Sequence, residues 1–279
     1  MKTKTLRRIA TVQQSKSIAG LFMRNHYYCQ LLTPDCIYRD DETGRHLITL
    51  IKDVIPACIV DTSYEALRTV YADPSNRGLA VAGRYAMSQR ITKRGELSNR
   101  KTISKSVLEA AGNPKGDQLG YWDSDPGHKL VCRETAWTAK HPEVLARGMD
   151  LFQEMNGVYS EVLTDEYAAQ MVEVGKVSPS LRIAEAFTTA TINKNLRTSA
   201  HRDEGDLKQG TGVMATLGPF AGGYLVLPEY GVAVDYQPGD VLLGDVHGLF
   251  HGNCAHSGER VTVILYVRER MHLCPTKPD

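Results

Sequence analysis

A histidine and an aspartate stand two residues apart in "TSAHRDEGDLKQG" (198–210), and three further histidines, His247, His251 and His256, crowd into "GDVHGLFHGNCAHSGER" (244–260). In an extended segment, residues i and i+2 point to the same side, so His201 and Asp203 can offer an imidazole nitrogen and a carboxylate oxygen to one ion. Alone, such a pair is common among surface polar residues. With one more imidazole it becomes the two-histidine, one-carboxylate facial triad of non-haem Fe(II) oxygenases, which leaves positions open for a 2-oxo acid and O2. His247 and His251 both follow the pair by about fifty residues, after "PGDVLLGDV", and spacing does not choose between them. Arg260 lies beyond them and opens the apolar run "RVTVILY". An unpaired buried arginine is costly; a bidentate carboxylate ligand accounts for it, as does a strand end with its head in water. A zinc site from His251, Cys254 and His256 matches no usual zinc spacing and ranks below.

These groups need a scaffold. From residue 183 onward "IAEAFTTATINKN", "TGVMATLG", "GGYLVLPEYG", "VAVDYQPGD", "VLLGDVHG" and "RVTVILYVRER" are short β-rich runs divided by Gly, Pro and Asp, the texture of a sandwich or jelly roll. Upstream, "HLITLIKDVIP" (46–56) reads as a strand and "YEALRTVYADP" (64–74) as a short helix. "HPEVLARGMDLFQEMNGVYSEVL" (141–163) places Leu145, Met149, Phe152, Met155 and Tyr159 on one helical face, and a second helix runs from Thr164 to Gly175. The N-terminal twenty residues are basic and suit a short surface helix or arm. The fold class expected is α+β: a C-terminal double-stranded β-helix (jelly roll) over 183–272, supported by a helical and basic part over 1–182, in one domain spanning 1–279.

The 279 residues carry 42% hydrophobic and 23% charged residues and a net charge of +1, as in an ordinary soluble globular protein. No apolar run approaches the ~20 residues of a membrane span. Six scattered cysteines form no CxxC pair, which argues against a disulfide framework and suits a reducing, intracellular setting. One stretch departs from neutrality: residues 77–105 hold Arg77, Arg84, Arg90, Lys93, Arg94, Arg100, Lys101 and Lys105 against the single acid Glu96. Its apolar periodicity is weak, so it reads as a long exposed segment.

At these residues the chain resembles the Tet/JBP branch of the Fe(II)/2-oxoglutarate dioxygenases, which oxidises the 5-methyl group of pyrimidines in DNA. The resemblance rests on "FTTATINKNLRTSAHRDEGDLKQGTGVMATLG", "FAGGYLVLPEYGVAVDYQPGDVLLGDVHGLFHGN" and "ERVTVILYVRERM", which cover essentially all of 187–271, with a fainter echo in "GYWDSDPGHKLVCRETAW" (120–137). It implies Fe(II), 2-oxoglutarate and O2 as cofactor and co-substrates, with His201, Asp203 and His251 as metal ligands and His247 behind them. It makes Arg260 the 2-oxoglutarate anchor. Asn193 and Arg197, in "N-x-N-x-R-T" with Asn195, become candidates to orient the co-substrate. Asp206 and Arg268 fall where the target base is read.

The partner implied is DNA with a flipped-out 5-methylpyrimidine, its phosphates met by the basic segment from Arg77 to Lys105. The reaction expected first is 5-methylcytosine to 5-hydroxymethylcytosine and further, with thymine hydroxylation as the alternative. A monomer acting in the cytoplasm or nucleus of the host cell, without a membrane, completes the expectation. Rival readings are an oxygenase of the same iron chemistry acting on protein or small molecules, and an inert nucleic-acid-binding β-barrel.

Overall fold

The stretch "VTVILY" is uncharged and mostly β-branched, a composition that fits a pleated surface covered on both faces. It forms the strand Val261–Tyr266, flanked antiparallel by Gly212–Leu217 on one side and Thr189–Lys194 on the other. This computed structural model describes residues 1–74, 80, 83, 87–91, 97–103, 108–109, 111–123, 132–203 and 205–274, without the side chains of Val12, 87–91 and 97–103. Among the described residues the large sheet has nine strands. Their order is Thr3–Leu6, Cys36–Asp40, His46–Ile51, Val241–Gly244, Gly212–Leu217, Val261–Tyr266, Thr189–Lys194, Lys115–Trp122 and Arg133–Glu134. A smaller sheet pairs Gly252–Asn253, Leu225–Leu227, Val232–Val234 and Gln30–Leu32 in that order.

Side-chain alternation builds two interiors from one sheet. Val213, Ala215 and Leu217 pack with Leu151, Phe152, Met155 and Tyr159 of the helix Pro142–Val162. Met214 and Leu242 turn the other way, against Leu225, Leu227, Val232 and Val234 of the smaller sheet. Each fully buried Val, Leu, Met or Phe among them stabilises the fold by about 1.5–3 kcal/mol. Helices therefore cover one face of the large sheet and the small sheet covers the other, which leaves the rims of the sandwich for chemistry. This is the α+β jelly-roll architecture expected from the sequence.

Several local expectations shift. The helix expected over 64–74 runs instead over Ala57–Leu67, starting just after Pro56, whose carbonyl accepts from the Ile59 and Val60 amides of its first turn. The N-terminal part is less purely helical than expected: His46–Ile51 pairs with Val241–Gly244 and Lys115–Trp122 with Thr189–Lys194, extending the sheet on both sides. The basic stretch holds a two-stranded antiparallel ladder, Met87–Ile91 with Leu97–Ile103, where no regular element was expected. Cys132 and Cys274, 142 residues apart in sequence, form a disulfide that no cysteine spacing foretold.

Asp40 ties the N-terminal strands to the small sheet. The Tyr230 hydroxyl donates to Oδ2 at 2.7 Å, while the Thr43 hydroxyl and amide donate to Oδ1 at 2.7 and 2.8 Å. The Tyr230 and Thr43 hydrogen bonds lower its pKa to about 2. Because the folded value is depressed, the stabilisation is present above the ordinary carboxylate range and is lost as pH falls from about 4 to about 2. Asp40→Asn should remove about 2 kcal/mol at neutral pH and flatten stability across that acid window, as measured by urea unfolding at each pH.

Candidate active site

After the strand Thr189–Lys194 the chain bends at Asn195, whose φ of 54° lies in the left-handed region that asparagine tolerates better than most residues. It then runs extended along the sandwich rim. Ala200 accepts from Gly20 N–H and donates to Leu21 O, at 2.7 and 2.8 Å, which fixes one side of the segment. On the other side His201 and His251 exchange reciprocal backbone hydrogen bonds of 2.9 Å. The two histidines are thus set opposite each other by main chain alone.

Their rings lie 4.4 Å apart between centroids. His201 Nδ1 meets Ser199 O at 2.7 Å and His251 Nδ1 meets Leu249 O at 3.1 Å. A carbonyl oxygen only accepts, so each ring carries its proton on Nδ1 and keeps an Nε2 lone pair for another partner. Asp203 Oδ1 lies 3.4 Å from His201 Nε2, and Oδ2 lies 3.7 Å from His251 Nε2. The three donor atoms fall within 4.8 Å of one another, the one such cluster among the described residues. Cis ligands on bonds of ~2.1 Å sit about 3 Å apart, so small side-chain adjustments suffice for one ion. Two imidazoles and one carboxylate fit a non-haem Fe(II) centre.

His247 is outside the cluster, and its Nδ1 donates to the carbonyl of Asp203 at 3.1 Å. The zinc alternative finds no support, because Cys254 lines a different cleft. The triad opens into a cavity of about 680 Å³, also lined by Trp122, Asn193, Asp206, Tyr236, Thr262 and Arg268.

Arg260 is 2% exposed. Its Nη1 donates to Thr262 Oγ1 at 2.7 Å and its Nη2 to the Tyr236 hydroxyl at 2.8 Å, both cavity-lining groups, while its buried Nε has no partner. Asn195 clamps the Arg260 main chain, with Asn195 Oδ1 accepting from Arg260 N–H and Arg260 O accepting from Asn195 N–H. No carboxylate among the described residues pairs with this guanidinium. Asn193 presents a buried, unpartnered Oδ1 in the cavity wall.

At the other end of the cavity, Asp206 and Arg268 face each other across an isolated antiparallel bridge, with Arg268 Nη1 4.0 Å from Asp206 Oδ1. Arg268 also pairs with Asp123 at 3.3 Å and stacks over Trp122 at 5.1 Å. Gly205 has a φ of 94°, and a Cβ there would come within 3.2 Å of Arg268 Nη1, so glycine is required for this approach.

Not every expected residue arrives. Arg197 does not line this cavity; its Nη2 donates to Met23 O and its guanidinium covers the Phe22 ring, because along the extended segment it faces opposite to Thr198. Arg77, Arg84, Lys93 and Arg94 lie outside the described residues. Arg90, Arg100 and Lys101 lie on the ladder strands, their side chains outside the description.

The sequence reading missed Tyr236, Thr262, Trp122 and above all Glu229. Glu229 is fully buried, and its carboxylate pairs with Arg8 and with Arg202 while accepting the Phe250 N–H at 2.8 Å. Arg202 stands between His201 and Asp203, and Phe250 precedes His251, so one carboxylate ties both ligand-bearing segments. A lone acid inside "YLVLPEYGVAV" was the available signal. Glu229→Ala should weaken Fe(II) binding by about tenfold, the lower end for loss of a supporting partner, read by titrating Fe(II) anaerobically.

A jelly roll with this donor cluster on its rim and a buried, carboxylate-free arginine beside it is the architecture of an Fe(II)/2-oxoglutarate dioxygenase. Residues 120–269 match the Tet_JBP family, described as the oxygenase domain of the 2OGFeDO superfamily, and the chain belongs to that family. The superfamily uses Fe(II), 2-oxoglutarate and O2.

Thymine dioxygenase JBP1 of Trypanosoma brucei brucei is 35% identical over 161 residues, 57% of this chain and 19% of that protein. The bifunctional helicase and thymine dioxygenase JBP2 of Trypanosoma cruzi (strain CL Brener) is 26% identical over 246 residues, 82% of this chain and 22% of that protein. The chain thus spans about a fifth of the length of these relatives. The solved structure of NgTET1 in complex with 5mC DNA has the same fold, with a TM-score of 0.62 at 14% identity over 99% of this chain and 86% of that one. Among the described residues, no helix is long and apolar enough to cross a membrane.

Proposed function

We propose that the chain oxidises the 5-methyl group of a pyrimidine in DNA, with thymine ahead of 5-methylcytosine. The observation that carries this is the placement of the His201, Asp203 and His251 donors and the Asp206–Arg268 pair on one cavity. We place thymine ahead of the 5-methylcytosine first expected from the sequence, a reading supported by the name thymine dioxygenase that the relatives bear. His201, Asp203 and His251 would hold Fe(II), which would supply the O2 chemistry needed at an unreactive methyl group.

The protein's own groups do the rest. Arg260, steadied by Thr262 and Tyr236, takes the distal carboxylate of 2-oxoglutarate with two parallel N–H donors. The extruded base stacks on the wall near Trp122. Asp206 accepts from a ring or exocyclic N–H while Arg268 donates to a base carbonyl, a pairing that suits the edge of either pyrimidine. One oxygen atom of O2 enters the methyl carbon and the other enters succinate, as CO2 leaves the 2-oxo acid.

The basic segment from Arg77 to Lys105 meets DNA phosphates. Neutralising Arg90, Lys93, Arg94 and Arg100 together should weaken DNA binding and lower its salt slope by up to about four units, measured across a salt series. The chain works as one domain over 1–279, since its N-terminal strands pair into the sheet that carries the site. We place it as a monomer inside the cell, where its DNA lies.

The deciding experiment incubates the protein with Fe(II), 2-oxoglutarate and DNA containing both thymine and 5-methylcytosine, followed by nucleoside mass spectrometry. A 5-hydroxymethylpyrimidine supports the reading and identifies the base. Succinate formed without any DNA product would move the enzyme to a protein or small-molecule substrate.

A further inference from the structure

Behind the catalytic cavity lies a second cleft of about 570 Å³, lined in part by Met23, Arg24, Asn25, His26, Arg197 and Tyr224. The two spaces share a wall. Thr198 and Asn253 line the catalytic cavity, while their chain neighbours Arg197 and Cys254 line the cleft, as alternation along extended chain requires. Thr198 and Asn253 lock that wall together, through a 2.8 Å bond between side chains and a 3.0 Å bond from Asn253 N–H to Thr198 O.

The cleft is cationic and uncompensated. Arg197 is held in place by its bond to Met23 O at 2.5 Å and by the Phe22 ring 5.2 Å from its guanidinium. Its Nε is buried and has no partner. Burial lowers the Arg197 pKa and the like charge of Arg24 adds to that, against a smaller opposing pull from the Cys254 thiol of the same cleft. No carboxylate among the described residues pairs with either arginine. Two guanidiniums, an amide, an imidazole and a phenol around an open space, with no acid among the lining residues, form a set of donors awaiting an anion.

We infer that this cleft is a phosphate-binding site, with Arg197 at its base and Arg24 at its rim. Guanidinium pairs match the bidentate geometry of a phosphate oxygen pair better than that of a halide. The volume is within the range of small-ligand sites and exceeds what a lone ion needs. The phosphate belongs either to a nucleic-acid backbone or to a free phosphate compound. The inference does not depend on the DNA reading, because the donor chemistry is the same for both.

The test is calorimetric titration of the full chain with inorganic phosphate, repeated on Arg24→Gln and Arg197→Gln and followed by competition with a short DNA duplex. Phosphate binding that weakens about tenfold in each variant, at unchanged melting temperature, supports the site. Displacement by duplex assigns it to a DNA phosphodiester; no displacement assigns it to a free phosphate compound. Equal phosphate affinity in wild type and Arg24→Gln overturns the inference, as does no detectable phosphate binding. Arg24 is exposed, just ahead of the 3-10 turn Asn25–Tyr27, and its side chain caps nothing there, so that variant folds even if Arg197→Gln does not. His201→Ala should bind phosphate as wild type does while losing succinate formation, which separates this site from the oxygenase reading.

Discussion

Asp203→Ala protein is expected to form succinate only at background and to bind Fe(II) far more weakly than wild type, by more than the roughly 10–100-fold typical of losing a supporting partner. The reason is geometric and electrostatic together. Asp203 faces both imidazoles, with its two oxygens 3.4 and 3.7 Å from the Nε2 atoms of His201 and His251. It also brings the negative charge in a donor set that must hold a dication. Removing it leaves two neutral rings, whose orientation survives because Ser199 and Leu249 carbonyls still hold their Nδ1 atoms. The melting temperature should therefore change little, and that separates loss of the metal from loss of the fold. His201→Ala should have the same catalytic outcome. Full succinate formation by either variant, measured with saturating Fe(II), removes these residues from the metal site.

Arg260→Gln should raise the KM for 2-oxoglutarate by about 30-fold or more, following the ~2–5 kcal/mol lost when one partner of a buried hydrogen-bonded charge pair is truncated. Arg260 has no carboxylate partner among the described residues, so its charge is balanced only when an anionic ligand arrives. Thr262 and Tyr236 set the plane of the guanidinium, and Asn195 fixes the backbone that carries it. Arg260→Lys keeps the charge but loses the planar fork, so it should recover only part of the affinity. Because Arg260 is isolated from acids, removing it also relieves a buried charge, and stability should hold or rise slightly. Steady-state kinetics with varied 2-oxoglutarate, beside urea unfolding, reads both effects. An unchanged KM in Arg260→Gln transfers the anchor to another residue.

What was legible in the sequence was local. Short β-rich runs divided by Gly, Pro and Asp located the strands from residue 183 onward, and apolar spacing located the helix Pro142–Val162. The His201 and Asp203 pair was readable for the same reason, since extended chain places i and i+2 on one side. Asp206 and Arg268 came from resemblance, and the structure puts them face to face. Glu229 was in plain view as an acid in an apolar run, yet nothing nearby in sequence named Arg8, Arg202 or Phe250 as its partners.

The amino-acid sequence by itself determined the strand and helix types and the donor pair, and it left Arg260 open between a buried anchor and an ordinary strand end. Tertiary structure alone decided which side each neighbour faces and which distant strand lies alongside. It set His251 opposite His201, as the resemblance had implied and spacing alone had not, turned Arg197 into a separate cleft, and brought Trp122 and Asp123, at the end of an upstream strand, to Arg268. The physical reason is that local periodicity specifies alternation but not register. Register is set by hydrogen bonds between strands tens to hundreds of residues apart, and only the folded sheet makes them.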